Sequence, residues 1–126
     1  MIYFIGGLQN REFKYFDTIK KIRDKNTGIV ENFFDADIKE EEKFLEKISF
    51  NSIFSSEELV VLKRSEKLKD LEKILDYITA LDLNKKEIVI DYAREDGKIP
   101  AKLNKKLESL KKEKKMEVFL FLKEDD

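Results

Sequence analysis

Short runs of almost purely apolar residues punctuate this chain: Met1-Ile2-Tyr3-Phe4-Ile5, Leu59-Val60-Val61-Leu62, Ile88-Val89-Ile90 and Val118-Phe119-Leu120-Phe121-Leu122. Each is short and bounded by glycine or charge, the pattern of a strand covered on both faces. Between them the apolar spacing turns helical. Arg11 to Lys25 carries Phe13, Phe16, Ile19 and Ile22, with Tyr15 widening the stripe, and Asn26-Thr27-Gly28 ends it. Asp37 is placed to cap a helix running through Lys47, with Ile38, Phe44, Leu45 and Ile48 inward. Leu68, Leu71, Leu75 and Ile78 mark a helix over Glu66 to Leu81; Leu103, Leu107 and Leu110 mark another after Gly97 and Pro100.

A more polar strand within Ile29 to Asp35, centred on Phe33-Phe34, belongs at a sheet edge because Glu31 and Asn32 interrupt it. With Met1–Ile5, Leu59–Lys63, Glu87–Asp91 and Val118–Leu122 it makes five strands in strict alternation with helices. Such alternation implies right-handed crossovers and a three-layer α/β fold: a five-stranded, mostly parallel sheet with helices on both faces. The 126 residues suit one domain. The stop four residues after the last strand, in Lys123-Glu124-Asp125-Asp126, reads as the cut boundary of a longer protein.

Composition removes much chemistry. Histidine, cysteine and tryptophan are absent, which excludes imidazole and thiolate catalysis, disulfides and most zinc sites. No cofactor is expected. A cysteine-free chain without a signal-peptide pattern at its start fits a cytoplasmic location, and no apolar run could span a bilayer. Charged residues make up 42% of the chain at a net charge of −1, which argues against a global nucleic-acid-binding field. Lysine outnumbers arginine 22 to 4, leaving few candidates for a rigid phosphate clamp.

In a parallel sheet the first place to seek a ligand is the turn after the first strand, here Gly6-Gly7-Leu8-Gln9-Asn10-Arg11-Glu12-Phe13. A working phosphate loop ends in glycine, lysine and a hydroxyl residue. Counted from Gly6 those places hold Arg11, Glu12 and Phe13; counted from Gly7 they hold Glu12, Phe13 and Lys14. The position is right and the chemistry is missing. Asp91, where an ATPase of this topology holds its magnesium-organising acid, reads as a solvated strand-end aspartate followed by Tyr92. A phosphoacceptor domain is disfavoured, because Gly6-Gly7 and Lys63-Arg64-Ser65 stand where its acids belong. The cluster Asp35, Asp37, Glu40, Glu41 and Glu42 reads as a solvated face rather than a metal site. Lys102 to Lys115 carries a local charge of +5 but no aromatic residue to stack on bases, so it reads as a solvated helix face with DNA contact as the alternative.

Two hydrophobes remain unexplained: Ile53 and Phe54, in Asn51-Ser52-Ile53-Phe54-Ser55-Ser56-Glu57-Glu58. Either they tuck under the third strand as core, or they project from the strand-top face into pockets on a partner.

Several features together resemble one family, the N-terminal domain of the delta subunit of bacterial DNA polymerase III, the clamp-loader subunit that opens the sliding clamp. They are the Met1–Ile5 start with its degenerate loop, the Phe33-Phe34-Asp35-Ala36 strand end, Lys67-Leu68 opening a helix, and above all Ser52-Ile53-Phe54-Ser55-Ser56-Glu57-Glu58-Leu59-Val60-Val61-Leu62, similar to the family's Ser-Leu-Phe-Ser stretch and following strand. The resemblance implies a P-loop NTPase or AAA+ domain without a functional phosphate loop, followed in the family by lid and collar domains. It implies no catalysis by this domain, although the assembly is a polymerase holoenzyme. Ile53 and Phe54, flanked by Ser52 and Ser55, would be the wedge that binds the sliding clamp (the beta subunit). Other clamp-loader subunits would be neighbours, and DNA would be met only through the assembly. The readings left beside it are a nucleotide-binding protein with a degenerate loop at Gly6, Gly7, Arg11 and Glu12, and a DNA-contacting module.

Overall fold

The computed structural model describes residues 1–8, 10–50, 57–94, 96 and 98–121. Five strands form one sheet: β1 (Ile2–Gly7), β2 (Val30–Asp35), β3 (Glu58–Lys63), β4 (Lys86–Ala93) and β5 (Glu117–Phe121). Four helices alternate with them: α1 (Arg11–Lys25), α2 (Glu41–Ser49), α3 (Leu71–Thr79) and α4 (Ala101–Lys112). The strand order is β2-β3-β4-β1-β5 and every pairing is parallel. This order is neither the dinucleotide-binding 3-2-1-4-5-6 nor the flavodoxin-like 2-1-3-4-5. It seats β1 between β4 and β5, so the turn after β1 lies beside the end of β4.

Period-two alternation sorts the strand residues between two cores. Phe4, Val60, Leu62, Ile88 and Ile90 face α2, α3 and α4. Ile5, Leu59, Val61 and Val89 face α1 alone. Among the described residues three helices therefore cover one face and a single helix the other. Leu103, Leu107 and Leu110 bury the seam of α4 as expected, each fully buried leucine contributing roughly 1.5–3 kcal/mol. The polar second strand does sit at the sheet edge. No helix among the described residues is long and apolar enough to cross a membrane.

Four local expectations change. The α1 stripe is out of phase: Tyr15, Thr18, Ile19 and Ile22 are buried, whereas Phe13 and Phe16 are 76% and 59% exposed. The buried residues follow an i, i+3, i+4, i+7 row, and Phe13 lies on the far side of the cylinder from it. Asp37 does not cap α2. A 3-10 turn, Ala36–Ile38, intervenes, and it is the Asp35 carboxylate that accepts from Asp37 N–H (2.9 Å), leaving Ile38 exposed. The third helix is shorter than its leucine repeat, because a second 3-10 turn, Ser65–Lys67, takes up its start. Gly6 and Gly7 are strand residues rather than a turn, paired to Tyr92 and Ala93 on one side and Leu120 and Phe121 on the other.

Candidate functional site

At the carboxyl edge of the sheet the turn after β1 is occupied by the chain itself. Asn10 adopts a left-handed conformation (φ 64°) ahead of α1, which asparagine tolerates better than most residues. That places Arg11 at the first helical position. Its guanidinium Nη1–H donates to Asp91 Oδ1, across 80 residues of sequence. Asp91 is not a solvated strand-end aspartate: β4 runs on to Ala93, and Asp91 is 5% exposed. Burial pushes its carboxyl up from the ordinary range, while the charge and hydrogen bond of Arg11 oppose that shift.

Part of the backbone on either side of that turn is bonded within the sheet. Leu8 N–H donates to the Phe121 carbonyl (3.1 Å), and the Gly7 carbonyl accepts from Arg94 N–H (3.4 Å). Ser65 Oγ–H donates to the Asp91 carbonyl (3.0 Å), and Glu66 accepts from Ala93 N–H (2.8 Å). A phosphate cradle needs free N–H groups and a reachable acid. Here an internal cation holds the acid, and β5 takes the N–H of Leu8. Glu12, which the phosphate-loop comparison also singled out, is exposed in the first turn of α1.

Tyr15, on the buried row of α1, lies on the same side. Its phenol is pushed up to about 12, by burial first and by Asp91 second. The folded chain thus keeps a proton that the unfolded chain loses near pH 10, so stability falls as pH rises from about 10 toward 12. Tyr15→Phe removes that titration. By about pH 11 the unsubstituted chain should have lost about 1 kcal/mol more than the variant, read from urea midpoints at neutral and alkaline pH.

The acidic cluster disperses. Asp35 pairs with Arg64, and Glu40 accepts from Asp35 N–H (3.0 Å). Among the described residues no group of three acids is placed to hold a metal ion. On α4 Lys106 pairs with Asp76 (2.8 Å), and just past it Lys115 pairs with Glu113 (3.3 Å), while Lys102, Lys105, Lys111, Lys112 and Lys114 are exposed.

Ile53 and Phe54, with Ser52 and Ser55, lie outside the described residues. Their flanks do not. Phe50 ends α2, and Glu57 and Glu58 lead into β3, so both flanks stand at the amino edge of the sheet, opposite the strand tops. Val30 N–H donates to the Glu57 carbonyl (3.2 Å) and Glu58 N–H to the Lys85 carbonyl (3.0 Å). The other flank is held by Lys86, which is 4% exposed. Its Nζ donates to the carbonyls of Lys47 (3.1 Å), Ile48 (2.8 Å) and Phe50 (2.7 Å). An ammonium here satisfies carbonyls that a helix end leaves without partners and complements the helix dipole. Burial lowers its pKa, and neighbouring Glu58 opposes that.

With its carbonyl so anchored, Phe50 is 70% exposed. Beside it Ser49 Oγ shares a hydrogen bond with the Tyr77 hydroxyl (2.7 Å), and Tyr77 is also exposed. Sequence reasoning passed over Phe50, although it falls off the Phe44–Ile48 stripe, which is the signal that could have found it. Lys86 had no local signal, because its acceptors lie 36 to 39 residues away. Compared with models of known protein families and with curated proteins, the chain matches none.

Proposed function

We infer that this chain is a non-catalytic, clamp-binding domain of the delta-subunit kind, with an ATPase-like fold in which an arginine–aspartate pair stands where a nucleotide would bind. The observation that carries the reading is Phe50. An exposed phenylalanine, fixed through its own carbonyl by a buried lysine, flanks the segment whose Ser52–Leu62 sequence resembles the family's clamp-binding stretch. Solvent-facing aromatics on a fixed support are what interface hot spots use. The position of β4 beside β1, with Asp91 of β4 bonded to Arg11 at the start of α1, supports the ATPase-like part.

The mechanism is mechanical. Ile53 and Phe54 dock beside a subunit interface of the sliding clamp, and tighter binding to the open than to the closed clamp shifts the ring toward opening. ATP hydrolysis belongs to neighbouring subunits, and DNA is met through the assembly in the bacterial cytoplasm. The test is affinity for the sliding clamp of the same organism. Ile53→Ser with Phe54→Ser is expected to weaken it by about 100-fold, and Phe50→Ser by about tenfold, with melting temperature nearly unchanged. A double variant that melts far lower, or that binds the clamp as the unsubstituted chain does, would sink the reading.

A further inference from the structure

The edge of the sheet at β5 is open: among the described residues β5 pairs with β1 alone. Phe121 turns its carbonyl toward β1, where Leu8 N–H donates to it. Main-chain groups of alternate strand residues point to opposite sides. Those of Phe119 and Phe121 therefore serve β1, and the N–H and C=O of Val118 and Leu120 face outward without a strand to meet them.

A groove follows this edge. Two adjoining hollows, of about 460 and 570 Å³, share Lys111, Val118 and Phe119 in their walls, and Lys114 lines the second. Glu108 and Glu117 are the acids in those walls. On the opposite face of the sheet Lys14 Nζ stands 4.1 Å from the centre of the Phe119 ring. Lys14, Lys21 and Lys25 line a further hollow with Phe119, together with Glu87 and Glu117, while Lys21 pairs with Asp17 (3.0 Å). Lysines thus border β5 on both faces, and Lys102–Lys115 carries a net +5.

We propose that the free edge of β5 docks an extended acidic segment of a partner protein, which adds to the sheet as a sixth strand. Its main chain meets Val118 and Leu120, and its acidic side chains meet the lysines on either face. Strand addition at an exposed edge takes affinity from main-chain hydrogen bonds and specificity from alternate side chains. Charge selects the occupant. A second copy joined β5 to β5 would bring two +5 segments together, whereas an acidic strand neutralises one.

The probe is a blocked heptapeptide of alternating glutamate and valine, titrated into the full chain at low salt and followed by amide NMR. It should bind about tenfold or more tightly than the same peptide with lysine for glutamate, and weaken about tenfold at high salt. Exchange of the Val118 and Leu120 amide protons should slow. N-methylation of the peptide residues facing β5 should abolish binding, and Lys111→Glu with Lys114→Glu should reverse the charge preference. Equal binding of the two peptides overturns the proposal, as does protection at β2 instead of β5. Absence of binding by both also overturns it, the lysines then serving only to guard the edge. A peptide-free dimer with Val118 and Leu120 protected would give the edge to a second copy.

Discussion

Arg11→Met is expected to destabilise the domain by about 3–5 kcal/mol, the usual result of removing one partner from a buried ion pair. The side chains of Arg11 and Asp91 are 16% and 8% exposed, so water cannot replace the lost guanidinium. The variant leaves a carboxylate buried among Tyr15, Ser65 and the strand ends. Replacing both partners, as Arg11→Met with Asp91→Leu, should recover much of the loss, because the cost lies in the orphaned charge rather than in the missing attraction. Acid supplies a second signature. Without Arg11 the Asp91 pKa rises further in the folded state, so the penalty is present above the unfolded value, near 4. It shrinks as pH falls toward that value and is gone below it, where both states bind the proton. Urea midpoints of the single and double variants at about pH 7 and pH 4 read both effects. Mg–ATP separates the two accounts of the turn. A nucleotide seated there would raise the melting temperature by mass action, and the self-filled turn predicts no rise in the unsubstituted chain. A magnesium-dependent rise that Asp91→Leu abolishes would favour the nucleotide-binding reading instead.

The α/β class was readable because each inner strand is buried on both faces and therefore continuously apolar, as in Leu59–Leu62 and Ile88–Ile90. Residue pattern carried the strands and helices but not the ends or the phases. In α1 two phenylalanines outweighed Thr18 by hydrophobicity. Yet Thr18 is buried with its hydroxyl donating to the Lys14 carbonyl (2.7 Å), while Phe13 and Phe16 face solvent. A periodicity argument weights residues by apolarity and misses a satisfied polar residue on the inward row. The site was less legible because its bonds are long-range. A solvated aspartate and a buried one share the same local sequence, and only Arg11, 80 residues away, tells them apart. The same holds for Lys86, which reads as a charged strand boundary until the end of α2 is seen wrapped around it. The mismatch of the Gly6–Phe13 turn to a phosphate loop was legible in the sequence, but the pairing of Arg11 with Asp91 was not.

Gly7→Ala is the sharper test of what the Gly6-Gly7 pair is for. In a phosphate loop glycine lets backbone approach a ligand; here the approaching backbone is β5. Gly7 has φ 118°, a region that L side chains rarely adopt, and a Cβ built on it would overlap the Phe121 carbonyl group. Phe121 cannot yield by rotating a side chain, because the conflict is with its main chain, which Leu8 N–H also holds in place. Backbone strain and displacement of β5 together should cost about 4 kcal/mol, a large part of the roughly 5–15 kcal/mol that holds a domain of this kind. Gly6→Ala is the control. Its Cβ meets Phe4 Cε1 at 3.0 Å, and Gly6 is not at positive φ, so a ring movement should limit the cost to about 1 kcal/mol. In Gly7→Ala the amides of β5 and Leu8 should lose hydrogen-exchange protection before those of β3 and β4, because among the described residues the displaced strand pairs on one side only. If the two alanine variants were equally stable, the close approach of β5 would not explain the second glycine, and a ligand drawn to that turn would again be the better reason for it.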